Sequence, residues 1–505
     1  MRLVKTLLLD LRRGAASIIL ARKIIELGFA ENVVLLTSGN LQQPVNIRGV
    51  SLISVAEYAP EYISKCEIDL TLRSLNELIW KTTLFRNSWQ IVGNDRNIIY
   101  QTQKGLFHIE KSRHSLNDMV KIFATKAIGC KKLIDTIKPD FIITLDLCSL
   151  EDQFITLFGS ENNIPILHML PTRFENFVCM STEPVENFKF MTDHYDQLNI
   201  EKSGHSGLLE WVDKYIALMA SGKATIHNSA RLIDGESSVP RHLGQRPNIK
   251  SSVKTVLSGI RNLDYERLYL GLHIGMNLLR MRSSKEVARG VTVLSQIPAQ
   301  QFWLFALHSE PETAVDFYMS SLPDQRCLIK VASRALPFGD ILVVREHPRM
   351  HGMRSSKWYR KIQDESPNVV FISNKVSMND LLKSGLGSFT ICGSAAVEAL
   401  SCGKPVCLFG HPHFVRLKGI FQTTNLDSVS EIVSSMMTFS KNDEEMSKAD
   451  LRNYIMKVAR VSYRLNWWSD YYSNDIADDD AGIYGLARYI ESSIRLRLQV
   501  KDQGV

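Results

Sequence analysis

Short runs of apolar residues, with little alternation, recur along the first third of this chain. They are "LVKTLLLDL" at 3–11, "VVLLTS" at 33–38, "VSLISV" at 50–55, "FIITLD" at 141–146 and "IPILHML" at 164–170. Strands apolar on both faces belong in a parallel sheet covered by helices, whereas half-exposed strands alternate. Between the runs the period changes. In "GAASIILARKIIELGF" (14–29), Ile18, Leu20, Ile24, Ile25 and Leu27 recur near helical spacing until Gly28 stops them. A second helix is expected over 115–136, ending at Lys138-Pro139, and a third over 150–160. Strand and helix alternating in this way predict βαβ units.

The pattern restarts near residue 300. "QQFWLFAL" (300–307), "DILVVRE" (340–346), "NVVFIS" (368–373), "SFTIC" (388–392) and "PVCLFG" (405–410) are the strand candidates. Helical segments separate them. "SMNDLLKSG" opens on Ser377 and Asp380 in capping-box spacing and stops at Gly385, while "SAAVEALSCGKP" opens at Ser394 and closes with Gly403 and Pro405. The stretch 205–295 reads as helices and loops attached to the first domain. Its Arg280, Arg282 and Lys285 make either a solvated basic face or one resting on a membrane surface. The whole predicts an α/β protein of two doubly wound domains facing across a cleft. The first is expected at 1–297 with the helical insertion around 205–295, the second at 298–470. A helical segment at 471–505 is expected to return to the first domain. Ligands of such domains bind at the carboxyl ends of the strands.

Composition changes this picture little. At 505 residues the chain is too long for one core. With 45% hydrophobic and 22% charged residues it has an ordinary globular balance, and a net charge of +7 tolerates anionic ligands without demanding them. No long block of like charge marks a nucleic-acid tail. The eight cysteines form no CxxC pair, and several sit in apolar runs, which fits reduced thiols in a cytoplasmic protein. The start "MRLVKTLLLDLRRG" lacks a signal-peptide pattern, and no run is long enough for a membrane span.

Candidate chemistry gathers at three strand ends. In "REHPRMHG", Pro348 holds His347 extended, and Arg345 and Arg349 flank it. An imidazole fixed there can donate to a phosphate oxygen or protonate a leaving group. In "ICGSAAVEAL", Gly393 permits a sharp turn, and Ser394 either merely caps a helix or helps hold an anion at its start. Glu398, about 6 Å along the axis, is either a surface residue or a ribose contact. In "FALHSEPETAVD", His308, Glu310 and Glu312 follow a strand, either as a polar hinge or with the two acids as contacts to hydroxyls or an amine or as a base.

These three segments resemble the ordered blocks of bacterial capsular-polysaccharide and surface-carbohydrate biosynthesis proteins, a family that includes the Kdo transferases of capsule assembly. The shared pattern is LHxxPE, a basic residue before x-His-Pro, and Gly-Ser with Glu-Ala-Leu and Gly-Lys-Pro-Val, over roughly 300–415. "KPDFIITLD" and "IPILHMLPTRFENF" match the general layout of the first part. The resemblance implies a GT-B glycosyltransferase fold, with the nucleotide on the C-terminal domain and the acceptor mainly on the N-terminal one. It implies that His347, Pro348 and Ser394 hold the donor phosphate and that Glu398 contacts ribose or nucleotide. Relatives commonly carry lysine where this chain has Arg345, which keeps the charge but changes the fork geometry. The catalytic carboxylate is expected from the first domain. Glu151 and Asp152 resemble the paired-acid motif of some CMP-sugar transferases, with Gln153 in place of its glycine, and Asp146 is a further candidate. Helix capping is the expected role for at least one of these acids. Arg173, Asn176 and Arg12 with Arg13 are expected acceptor-side or cleft contacts.

The expected activity is glycosyl transfer from a nucleotide-sugar donor, a CMP-sugar or NDP-sugar, to a surface glycan or its lipid-linked precursor. It would take place in the cytoplasm or peripherally at the inner face of the membrane, with no metal, cofactor or nucleic acid required. The alternatives are a sugar-nucleotide epimerase or polyol-phosphate transferase on the same fold, or a non-catalytic nucleotide- or glycan-binding assembly protein.

Overall fold

The structure, a computed structural model, describes residues 2–10, 14–37, 47–82, 84–85, 87–95, 98, 114–145, 147, 149–175, 177–198, 207–222, 253, 256–257, 291, 293–310, 315, 324–347, 350, 354, 356–464 and 481–502. The chain divides into two compact units. One comprises Met1–Gln101, Lys111–Trp211 and Ile455–Val505, the other Thr102–Glu110 and Val212–Tyr454. The expected boundary at 297/298 therefore falls inside the second unit, and the chain returns to the first from Ile455 onward. Among the described residues no helix is long and apolar enough to cross a membrane.

The first unit is built on β1 (Val4–Asp10), β2 (Ala30–Thr37), β3 (Val50–Ser54), β4 (Phe141–Thr144), β5 (Ile166–Pro171) and β6 (Phe177–Ser181). The second unit has β7 (Val293–Leu294), β8 (Phe302–Ala306), β9 (Ile341–Arg345), β10 (Val369–Ile372), β11 (Ser388–Thr390), β12 (Val406–Leu408) and β13 (Ile420–Gln422). β14 (Tyr463–Arg464) completes the first sheet, whose order is β14-β6-β5-β4-β1-β2-β3. There β1 to β5 pair in parallel, as their unbroken apolar runs require, while β6 and β14 are antiparallel additions. β6 escaped the sequence reading because the reversal "TRFEN" carries no glycine. Arg173 (φ 62) and Glu175 (φ 45) adopt the left-handed backbone themselves.

Three helices of the first unit begin with reciprocal serine–acid caps: Ser64 with Glu67, Ser115 with Asp118, and Ser149 with Asp152. The helix Leu150–Glu161 lies so close to the sheet that a Cβ on Gly159 would stand 2.7 Å from Ile142 and 2.9 Å from Ile166. The carboxyl-terminal register row of this sheet breaks the apolar pattern. Asp10 pairs with Thr144, Thr144 with His168, and His168 with Ser181, and all four are buried.

The second sheet is parallel throughout, in the order β13-β12-β11-β8-β9-β10-β7. Its centre is aromatic: the rings of Phe305 in β8, Phe389 in β11 and Phe409, directly after β12, stack with centroids 6.3–6.5 Å apart. Trp303 is fully buried and sends its indole N–H to Asp340 (2.9 Å), satisfying the one polar atom it carries inside.

Burial holds His168 neutral, with its pKa down at about 4 despite a hydrogen bond to the Leu145 backbone. When unfolded, the same ring takes a proton near pH 6.5. Its contribution is therefore whole above about pH 6.5 and is lost as the pH falls toward about 4, amounting to about 3 kcal/mol at most. Urea unfolding of wild type and His168→Gln at pH 7 and pH 4 checks this. The stability gap between the two should move in favour of the variant at pH 4, and a gap independent of pH would remove His168 as its source.

Candidate functional site

β8 lies centrally in the second sheet, with β9 and β10 on one side and β11, β12 and β13 on the other. The chain thus crosses over β9 and β8 between β10 and β11, and the carboxyl ends of β8 and β11 flank the switch point where α/β domains take their ligands. All three candidate segments of this unit emerge there.

The segment after β8 is tied in on both sides. Leu307 donates its N–H to the Arg345 carbonyl (3.0 Å), extending β8 alongside β9. The Gln325 side chain accepts the His308 N–H (2.8 Å) and donates back to the His308 carbonyl (3.3 Å). The imidazole Nε2 accepts the backbone N–H of Cys392 (3.2 Å) and lies 3.2 Å from Thr390 Oγ1. An accepting Nε2 places the proton of the neutral ring on Nδ1. His308, expected as a donor contact, is therefore a buried tie between β8 and the turn after β11. That tie explains Gly393, because a Cβ there would stand 2.9 Å from His308 Cε1 and 3.0 Å from Thr390 Oγ1.

After β9 come Glu346 and His347. Glu346 Oε1 accepts the backbone N–H of His347 (2.6 Å), and the His347 carbonyl accepts the N–H of Met350 (2.8 Å). Both backbone groups of His347 are thus fixed, and its imidazole is half-buried. Glu346 in turn takes the Tyr359 hydroxyl on Oε2 (2.7 Å) and the guanidinium of Arg354 on Oε1. Arg354 is fully buried and also donates to Glu310 (3.0 Å) and to the His308 carbonyl (2.8 Å), with its plane over the Trp358 ring at 4.7 Å. Burial works against the Arg354 charge, yet Glu346 and Glu310 outweigh it and hold the group above its ordinary pKa. Burial, reinforced by the charge of Glu346, pushes the Tyr359 phenol up, so it remains a proton donor. Glu310, expected as a ligand contact, faces Arg354.

The third segment differs from expectation in one respect. Ser394 is already helical (φ −56, ψ −22) and makes no side-chain cap to the helix Ala395–Ser401, since a capping hydroxyl needs extended backbone to reach the first-turn N–H groups. Its hydroxyl instead donates to Glu398 Oε1 (3.4 Å). Burial pushes the Glu398 carboxyl up, and the charge of Arg345 and the bond from Ser394 pull the other way. Arg345 also donates to the Asn374 carbonyl (3.3 Å). His347, Arg345, Gly393, Ser394 and Glu398 are therefore gathered at the carboxyl edge of one sheet.

In the first unit, the paired acids hold a helix. Asp152 accepts the Ser149 N–H (2.9 Å) and donates its own N–H to Ser149 Oγ (3.3 Å), while Glu151 is paired with Lys126. Asp95, buried, accepts the Leu150 N–H (2.9 Å) at the same helix start. Arg173 places Nε against both oxygens of Glu186 (2.7 and 2.9 Å). Asp146, Asn176, Arg12, Arg13, Glu312, Pro348 and Arg349 lie outside the described residues. Sequence reading missed Gln325, Glu346, Arg354 and Tyr359. Only Glu346 had a signal, a carboxylate directly beside the His-Pro. Asp10, buried at the end of β1 beside Thr144, was hidden inside an apolar run.

Residues 285–465 match the model of the family described as capsule polysaccharide biosynthesis protein, which takes in the whole second sheet from β7 to β13. No curated protein matches the chain in sequence. Among solved structures, the KpsC β-Kdo 2,4-transferase of Thermosulfurimonas dismutans is 14% identical, covering 57% of this chain and 74% of its own, with a TM-score of 0.33. MnaA of S. aureus, in its UDP co-structure, is 13% identical over 90% of this chain and 92% of its own, with a TM-score of 0.26. The Neisseria meningitidis UDP-GlcNAc 2-epimerase, bound to UDP-GlcNAc, is 12% identical over 90% and 99%, with a TM-score of 0.23. At these scores the likenesses decide nothing about this chain, whose fold rests on its own two sheets.

Gly393→Ala should push the His308 ring off the Cys392 N–H and cost about 1–3 kcal/mol. Urea unfolding measures the loss. A variant as stable as wild type would show that the ring yields freely and is no tie.

Proposed function

We propose that the protein is a glycosyltransferase of capsular or surface polysaccharide biosynthesis, taking a CMP-sugar or NDP-sugar as donor and a surface glycan or lipid-linked glycan as acceptor. The single observation that carries this reading is the convergence of His347, Arg345 and the Gly393–Ser394 turn at the switch point of a wholly parallel sheet. The family match over that same sheet supports it. In this reading the donor phosphate lies between His347 and the Gly393–Ser394 turn, with Arg345 adding positive charge and Glu398 meeting the ribose hydroxyls. The bond between the sugar's anomeric carbon and the phosphate oxygen breaks, and the acceptor oxygen bonds to that carbon. The acceptor proton goes to a general base, for which the first unit's acids Asp146, Glu151 and Asp152 are the candidates. The nucleotide leaves as a phosphate anion, whose developing charge His347 and Arg345 stabilise. The residues named hold an anion without a metal. The protein would work in the cytoplasm, at or near the inner face of the membrane where lipid-linked acceptors lie.

Purified protein should release free CMP or a free nucleoside diphosphate from its donor only when acceptor is added. Epimerised sugar nucleotide, or tight nucleotide binding with no turnover, would replace transfer by another activity on this fold. His347→Ala should lower donor affinity or turnover at least tenfold while the protein stays folded, within the 2–4 kcal/mol typical of a group aimed at transition-state charge. Unchanged kinetics would sink the phosphate assignment.

A further inference from the structure

We propose that Arg354, which none of the recognised sequence blocks marks as functional, is the positioning residue that sets the orientation of His347. This rests on the reading of His347 as a phosphate-binding group. The observation behind it is the connectivity of one guanidinium. Arg354 reaches the segment after β8 through the His308 carbonyl (2.8 Å) and Glu310 (3.0 Å), and the segment after β9 through Glu346. Glu346 then holds the N–H of His347 (2.6 Å). His308, at the other end of the chain of contacts, holds the Cys392 N–H just before the Gly393–Ser394 turn (3.2 Å). Two parts of the proposed phosphate pocket, on β9 and on β11, are thereby joined through buried polar contacts that converge on a single side chain.

The chemistry demands arginine. Three acceptors on two segments surround Arg354: Glu346, Glu310 and the His308 carbonyl. A planar fork with donors pointing in separate fixed directions meets them together, whereas an ammonium is a single point with three donors on a flexible stem. The Arg354 Cζ lies 4.7 Å from the Trp358 ring centroid, a cation–π contact that adds to its hold. Glu346 cannot swing away, because Tyr359 holds its second oxygen (2.7 Å). The backbone of His347 is bonded at both its N–H and its carbonyl, so the Arg354–Glu346 contact helps set the backbone from which the imidazole leaves.

A double-mutant cycle separates positioning from bulk stability. Binding of CMP and of UDP is measured for wild type, Arg354→Lys, His347→Ala and the double variant. Thermal unfolding and hydrogen exchange of the segment 345–350 are followed in parallel. Arg354→Lys should weaken nucleotide binding at least tenfold and speed exchange at His347 and Met350, with the exchange of β8 and β11 unchanged. In the double variant the loss should be no greater than for His347→Ala alone, because Arg354 acts through His347. Losses that multiply, or a turn still fully protected in Arg354→Lys, would overturn the assignment. Glu310→Gln, which keeps the shape and removes one anion, supplies the same cycle if Arg354→Lys does not fold. Wild type binding neither nucleotide would refute the donor reading, and the exchange of the turn would then decide by itself whether Arg354 positions His347.

Discussion

A buried guanidinium between two carboxylates is the constraint on which the second unit's carboxyl edge depends. Arg354, Glu346 and Glu310 carry one positive and two negative charges out of water, with Tyr359 and the His308 carbonyl adding hydrogen bonds, and only the buried Arg354 Nε is left without an acceptor. Such a cluster is tolerable only when every charge in it is paired, since a charge stripped of its partner inside a fold costs several kcal/mol. It is therefore a poor way to stabilise a domain and a good way to hold two loops in one arrangement. The loops it holds are those that follow β8 and β9, next to the switch point of the sheet.

The sheet supplies what the cluster cannot. Its seven parallel strands place every loop of interest on the same edge, and the aromatic stack of Phe305, Phe389 and Phe409 keeps β8, β11 and β12 in a fixed order beneath them. His308 joins the two systems. Its backbone belongs to the loop that Arg354 holds, and its ring accepts the N–H of Cys392 on the far side of the crossover. The glycine at 393 is the counterpart of that ring, because a methyl group there would displace it. In the first unit the polar row of Asp10, Thr144, His168 and Ser181 occupies the corresponding edge, where the apolar strands end.

Much of the fold was legible from periodicity. The apolar runs led to β1 to β5 of the first sheet and to β8 to β12 of the second, because strands covered on both faces are apolar over most of their length. β6 and β13 were harder. β6 follows a glycine-free reversal, and β13, Ile420–Gln422, is three residues long and half exposed, so neither has the composition that marks a strand. The site was legible in part. His347, Arg345, Gly393, Ser394 and Glu398 stand at strand ends where their residue types carry meaning by themselves. Glu151 and Asp152 looked like a catalytic pair, and they serve a helix start and an ion pair instead, which is the ordinary fate of acids in a first helical turn.

Local sequence determined most of the strands and helices and many of the turns, because apolar period, serine caps and glycine or proline stops act over a few residues. It also determined that histidine, arginine and serine would stand at strand ends. Tertiary structure alone decided which polar groups turn inward. His308 and Glu310 read as ligand contacts beside a strand, yet their partners, Cys392 and Arg354, lie 84 and 44 residues away. Whether a carboxylate meets a ligand or a buried guanidinium depends on the crossover that brings those partners together, and no local pattern contains it.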